Sequence, residues 1–480
     1  MQRRLASRLS FGVAVSAGLL VPCFWQPVVS HGDLQSHLYN AWLANLVRGG
    51  QAPGLTLEWQ WTNVLVDLIL ERLLGLVSAS AAERLLTSCA VLLFFWGAFC
   101  FVSRVQSQRA QALAPWLAIL TYGYVFQMGL INYFVSAGLA LWALVATWEE
   151  GPRLRWLAAA GLLLFAWLAH PIPVLWFIGI TAYRHIAKQR PKRQGVLFVA
   201  GVMCLVGVHV YVRTRYVAGW SIRQVSLVTG ADQALLYKWR DLPVMLCMAC
   251  FFAVLLASAE NRRRVMTSIP AQLYGLTAAA IVLIPTGFRR SPLSTWSTLI
   301  AERLSLLAAI LLLAALPSPR TRRWPLIAGL ACAVAFFGLL YDDAARASRL
   351  ERRMEDLVSA LPAGARVIGY LPAGRAGDSG SLERVRFTHL LARACIGRCF
   401  DYMNYEPASG QFRIHASAHN PWVAGRIQDV YAMEEGIYAA RPEDPPLHSI
   451  QRCGPGMTDL CVGELGPGQS SRDIAYLQRR

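Results

Sequence analysis

Apolar runs of near-bilayer length, separated by short arginine clusters, recur through residues 1–340. An α-helix rises about 1.5 Å per residue, so a hydrocarbon core about 30 Å thick takes roughly 20 residues to cross. The first run is 11–29, preceded by Arg3, Arg4 and Arg8. Further runs read at 84–102, 113–128, 130–146, 154–169, 172–183, 196–211, 242–257, 269–285, 296–316 and 324–340. A chain that is 55% hydrophobic and only 15% charged is wrong for a soluble enzyme and right for a polytopic membrane protein. The expectation is therefore an α-helical polytopic membrane protein with about 11 transmembrane helices. A cleaved signal peptide competes for the first run, but the Val-Val-Ser-His junction at 28–31 is a mediocre cleavage site.

The formal charge of +18 comes mostly from arginine in the short loops, where membrane topology explains it without a nucleic-acid partner. With the N-terminus inside, every second loop is basic: Arg104 and Arg109, then Arg153 and Arg155, then Arg184, Lys188, Arg190, Lys192 and Arg193, then 262–264, then Arg320, Arg322 and Arg323. This alternation puts Asp33, His170, the segment 213–240, Arg289, Arg290 and everything after Tyr341 on the outer side. The chain contains no Asn-x-Ser/Thr sequon, which fits a bacterial inner membrane.

Two stretches interrupt the apolar pattern. The first, 31–80, is predicted to form two helices lying along the outer interface. In HGDLQSHLYNAWLANLVRGG, Asp33, His37 and Asn40 make a polar stripe beside Leu34, Leu38 and Trp42. Asn63, Asp67 and Glu71 repeat the spacing further on, and Trp42, Trp59 and Trp61 suit headgroup depth. Gly-Asp ahead of a helix also suits an N-cap, with the Asp33 carboxylate accepting from the backbone of Gln35 or Ser36.

The second stretch, 342–480, loses the apolar runs and reads as a separate extracytoplasmic α/β domain following the transmembrane domain 1–341. An amphipathic helix (Leu350, Met354, Leu357, Leu361) leads into a strand at 366–371. Cys395, Cys399, Cys453 and Cys461 suit two disulfides in any of about 3 connectivities, and their spacing is poor for zinc. Segment 372–381 is glycine-rich but lacks a phosphate-loop ending, and Asn404-Tyr405-Glu406-Pro407 reads as turn chemistry.

An apolar first span, an Asp just beyond it in His31-Gly32-Asp33, a following helix that ends in Arg-Gly-Gly, many further spans and an outer domain together resemble the GT-C class of membrane glycosyltransferases. The protein mannosyltransferases and the lipid A aminoarabinose transferase belong to that class. Much of the class carries a second acid beside that Asp, where this chain has Leu34 and Gln35. The resemblance implies a polyprenyl-phosphate-linked sugar as donor and transfer to an acceptor on the outer face. Asp33 is then the candidate base. Arginine forks match phosphate oxygens, and outer arginines are few under the positive-inside rule, so Arg213, Arg215, Arg223, Arg289, Arg290 and Arg303 become candidate phosphate ligands. His37 and His170 are candidate lining groups. A divalent cation held by His31, Asp33 and His37 is conceivable chemistry, but a solvated interfacial histidine is the commoner outcome. The rival readings are a lipid or solute transporter, or a noncatalytic membrane subunit with an outer binding domain. The polar groups collect at one face, which favours the enzyme.

Overall fold

The computed structural model describes residues 2–27, 32–106, 110–257, 267–289, 296–316, 323–371, 389–417, 420–456 and 458–477. The chain is mostly helical. Its principal helices are α1 (Gln2–Leu20), α2 (Leu34–Arg48), α3 (Leu65–Leu74), α4 (Ala79–Gln106), α5 (Ile131–Thr147) and α6 (Arg153–Ala169). These are followed by α7 (Pro171–Gln189), α8 (Gln194–Arg215), α9 (Leu242–Ala257), α10 (Ile269–Leu283), α11 (Ile300–Ala315) and α12 (Arg323–Ser359).

Among the described residues, three helices are long and apolar enough to cross a membrane: Ala79–Gln106, Pro191–Arg215 and Trp324–Ser359. This corrects the expectation of about 11 such helices. Several apolar runs form helices of only 15 to 17 residues, including α5, α9, α10 and α11. At about 1.5 Å per residue these reach roughly 22 to 26 Å, short of a full hydrocarbon core. The run at 113–128 is broken into Ala114–Thr121 and Tyr124–Gln127. Gly123 lies at the break, where an added Cβ would come within 2.7 Å of the Gln233 carbonyl oxygen.

The chain divides into two compact units, the first made of residues 1–21, 88–126 and 132–340. Within it, α4 and α5 touch through glycine: a Cβ on Gly97 would lie 3.0 Å from the Gly138 carbonyl oxygen, and Phe94 stacks on Phe134 at 4.3 Å between ring centroids. Small residues at a helix contact allow such close approach. A two-stranded ribbon pairs β2 (Val217–Gly219) with β3 (Gly287–Arg289) in antiparallel fashion.

The second unit comprises 22–87, 127–131 and 341–480, so it holds both the first-loop segment and the C-terminal chain. Its main sheet has the order β5-β4-β7-β8, with β4 (Arg366–Tyr370) parallel to β5 (Phe400–Asp401) and β7 (Leu447–Arg452), and β8 (Leu460–Leu465) antiparallel to β7. A small ribbon joins β1 (Leu55–Leu57) to β6 (Ile414–Ala416), with Thr56 opposite His415. Tyr39, Leu43 and Leu55 share one core with Leu350, Met354, Val367, Leu391 and Ile450.

Two sequence expectations change here, and a choice left open by the sequence is made. First, α2 is not a surface helix: Gln35, Ser36, His37 and Asn40 are buried together with Leu34, Leu38, Tyr39 and Leu43. Its polar stripe is tolerable inside because residues 351–406 supply partners for it. Trp42 accordingly packs against Tyr39 and Phe400, at 5.3 and 5.8 Å between centroids. Second, the last apolar run and the amphipathic helix after it are one 37-residue helix, α12. Residues 341–359 contain no Pro or Gly, and Ala, Arg, Glu, Leu and Met carry the helix on. Third, the cysteines pair with their near neighbours, Cys395 with Cys399 and Cys453 with Cys461.

Candidate functional site

Asp33 stands at the N-cap position of α2, yet its side chain makes no capping bond. The expected cap gives way to longer-range partners. His37, one turn on, brings Nε2 to 3.5 Å from Asp33 Oδ2, and its Nδ1 lies 2.8 Å from Oδ1 of Asp67 on α3. The imidazole is thus clamped between two carboxylates. Tyr405 donates its hydroxyl to Asp33 Oδ1 at 3.2 Å, and His389 Nε2 is 3.7 Å from the same oxygen. Ser36 donates to Glu406 Oε1 at 3.2 Å, and Asn404 donates to Asn40 Oδ1 at 2.7 Å. Asn404 also caps its short helix by accepting from the Glu406 backbone, which fixes the start of Tyr405–Ser409.

The electrostatics separate the roles. Burial alone would raise the Asp33 pKa, but the hydrogen bond and charge of His37, with help from His389 and Tyr405, bring it down to about 2. Burial works against a charged His37, yet Asp67 and Asp33 together push its pKa well above the usual histidine range. Burial lowers His389, and its attraction to Asp33 does not overcome this. Burial lifts Glu406 to about 8; Asp67 and Asp33 add to the rise, while His37 and the Ser36 hydroxyl oppose it. The surroundings therefore favour the charged form of Asp33, the protonated form of His37 and the neutral form of Glu406. Asp33 keeps 24% of its side-chain exposure while His37 keeps 3%, so the ionised carboxylate is also the accessible one. Among the described residues, no three carboxylate, imidazole or thiol groups are arranged to hold a metal ion.

Behind this cluster the second unit is braced by ion pairs. Glu71 of α3 binds Arg48 and also Arg413 at 2.9 Å. Arg393, in the helical stretch 389–395 that also carries His389, reaches Glu355 at 2.8 Å, Glu83 at 3.3 Å and Glu351 at 3.8 Å. The Cys395–Cys399 disulfide closes the end of that segment.

The remaining sequence candidates lie in the first unit. The Tyr133 ring meets the His170 ring edge-on at 5.4 Å, and the Arg303 guanidinium lies 6.0 Å from the same ring. Tyr133 donates its hydroxyl to the Arg303 carbonyl at 2.5 Å, and Arg303 Nη1 donates to the Thr298 carbonyl at 3.0 Å. Arg289 lies 5.0 Å over the Trp296 ring, and its strand sets it opposite Val217, two residues past Arg215. Arg213, Arg215 and Arg223 are exposed. Arg290 and His31 fall outside the described residues.

Sequence reasoning did not place His389, Tyr405 or Glu406 beside Asp33, and it gave Asp67 only an accessory part. The links span 30 to 372 residues, so no local spacing encodes them. Locally, Asn404-Tyr405-Glu406-Pro407 reads as turn chemistry, whereas Asn404 caps a short helix. The first unit holds a further knot that the sequence did not announce, in which Ser305 and Gln233 both donate to Asp232 Oδ2, at 2.6 and 2.7 Å.

No family model, curated protein or solved structure matches this chain.

Proposed function

We propose that this chain is a membrane glycosyltransferase of GT-C type, which moves a sugar from a polyprenyl-phosphate-linked donor to an acceptor on the outer face of a bacterial inner membrane. The observation that carries this reading is the setting of Asp33: a partly exposed carboxylate held by His37 at 3.5 Å and Tyr405 at 3.2 Å, neighbours that favour its charged form. In the proposed step the acceptor oxygen bonds to the anomeric carbon, and the bond from that carbon to the phosphate oxygen breaks. The phosphate leaves with the electron pair, and the acceptor proton passes to Asp33. A carboxylate of such low basicity takes that proton only as the acceptor oxygen becomes positive late in the reaction. Single displacement inverts the anomeric centre.

His37 supports this role by holding Asp33 ionised, and Asp67 supports it by holding His37. In the first unit, Arg303 with its Tyr133 and His170 neighbours, and Arg213, Arg215, Arg223 and Arg289, are proposed as ligands for lipid-linked phosphate, since guanidinium groups match phosphate oxygens. The outer-side position of residues 342–480 belongs to the same proposal.

The test is transfer by the purified protein in lipid nanodiscs, offered a panel of polyprenyl-phosphate sugars and compared with Asp33→Asn. Transfer by the native protein and its loss in the variant support the reading. Equal transfer by both removes Asp33 from the mechanism, and no transfer from any donor removes the reading itself.

A further inference from the structure

α3 is turned against the usual rule for a water-facing helix. Both its acids point inward, Asp67 to His37 and Glu71 to Arg48 and Arg413, together with buried Val66 and Leu70. The outward stripe, at the three- and four-residue spacing of one helix face, is Leu65, Leu68, Ile69, Arg72 and, just past the helix end, Leu76. Ile69 is 38% exposed and Leu76 80% exposed. The turn that enters α3 carries Trp59 and Trp61, exposed by 57% and 71% and touching edge-to-face at 5.7 Å.

We propose that this outward face of α3, with Trp59 and Trp61, is a membrane-docking surface whose partner is the lipid interface. Continuity with α4 identifies the occupant. α4 starts at Ala79, runs 28 residues and contains an 18-residue window of mean hydropathy 2.3, enough to cross a bilayer. Only residues 75–78 separate it from α3, a link that spans at most about 18 Å when fully extended. The α3 stripe is therefore tied to the level at which α4 enters lipid. Tryptophan beside an apolar stripe is the pattern of interfacial helices, and Arg72, the one charge on that face, suits anionic headgroups. The consequence is that the helix holding His37 through Asp67 sits at headgroup depth. The docking itself does not depend on glycosyl transfer.

Photocrosslinking tests it on the full chain in nanodiscs of phosphatidylethanolamine and phosphatidylglycerol. Ile69→p-benzoylphenylalanine and Leu76→p-benzoylphenylalanine are compared with the same replacement at exposed Glu443 of the same unit. Lipid adducts at least tenfold above the Glu443 level are expected at both positions. Adducts to a second copy of the chain, or lipid adducts no higher than at Glu443, overturn the proposal. Hydroxyl-radical footprinting needs no substitution: Trp61 and Leu76 are expected to be protected several-fold, and oxidation of Trp61 as fast as that of exposed Tyr431 overturns it as well. Because neither readout involves transfer, failure here is distinguishable from failure of the glycosyltransferase reading.

Discussion

The two units invert each other's use of polar and apolar side chains. In the first, α6 buries only Ala159, Ala166 and Ala169 while Leu154, Leu157, Leu164 and Phe165 face outward, and α8 buries nothing. In the second, α2 buries Gln35, Ser36, His37 and Asn40, and the residues around it bury Glu71, Glu83, Glu351 and Arg393. Outward leucines are costly beside water and neutral beside lipid tails, where close contact through small residues does the packing. Buried charges are tolerable only when paired, and Glu71, Glu83, Glu351 and Arg393 are. The difference teaches that a hydrophobic stripe reports which solvent a helix face meets, and that meaning changes between segments of one chain.

The comparison is open to attack at several points. The largest effect is expected at Asp33: Asp33→Asn should lower transfer by about 10²- to 10⁴-fold, the usual worth of a positioned base, with little change in the melting temperature. Next comes the buried charge of the second unit. Arg393→Met leaves Glu83, Glu351 and Glu355 facing one another without their cation, and thermal unfolding in detergent should report a loss of about 3–5 kcal/mol. In the first unit the matching experiment is Met203→Asp, at an outward position near the middle of α8. If that helix meets lipid, the cost is about 2.5–3.5 kcal/mol, read as loss of carbonate-resistant membrane protein; a neutral result would return α8 to water.

A smaller change is expected from opening Cys395–Cys399 by the double alanine variant. Closing so short a loop restricts the unfolded chain by about 2 kcal/mol, and the loss should appear in the second unit's unfolding transition. The gentlest probe is pH. Glu406 has a folded pKa raised to about 8, so its contribution to stability is complete below its ordinary value of 4.5 and is lost as pH rises through about 8. Asp33 has the opposite sign: depressed to about 2, it contributes above 3.8 and is lost as pH falls through about 2. The second unit should therefore weaken at both ends of a pH series, and Glu406→Gln should reduce the alkaline decline, leaving the share carried by His37 and Asp401, whose folded pKa values are also raised, and leaving the acid decline unchanged.

Much of the helical plan was legible because a period of 3.6 residues is local. The stripe of Asp33, His37 and Asn40 was read from its spacing, and Asp33 does meet His37 one turn away. What that stripe faces was not legible. The same spacing in α2 and α3 led to one interfacial reading for both, whereas α2 is enclosed and α3 is half open. The deciding partners, Glu351, Asn404 and Glu406, lie more than 300 residues away in sequence. Helix length was similarly hard to read, since hydropathy marks a run without marking a break such as that at Gly123, which lies close against Gln233. The cysteine pairing followed from proximity along the chain, which spacing alone could not choose.

The small ribbon between β1 and β6 sets an order of events for a chain made from its N-terminus. Asn40 is built 364 residues before Asn404, its hydrogen-bond partner, and β1 is built long before β6. At about 5–20 residues per second, α2 waits roughly 20 to 70 seconds with its polar stripe unanswered. During that interval the site-bearing helix lacks the partners that enclose it in the folded chain. Truncation anywhere before residue 404 is expected to yield a chain in which α2 never becomes protease-resistant, however well the helices between are inserted.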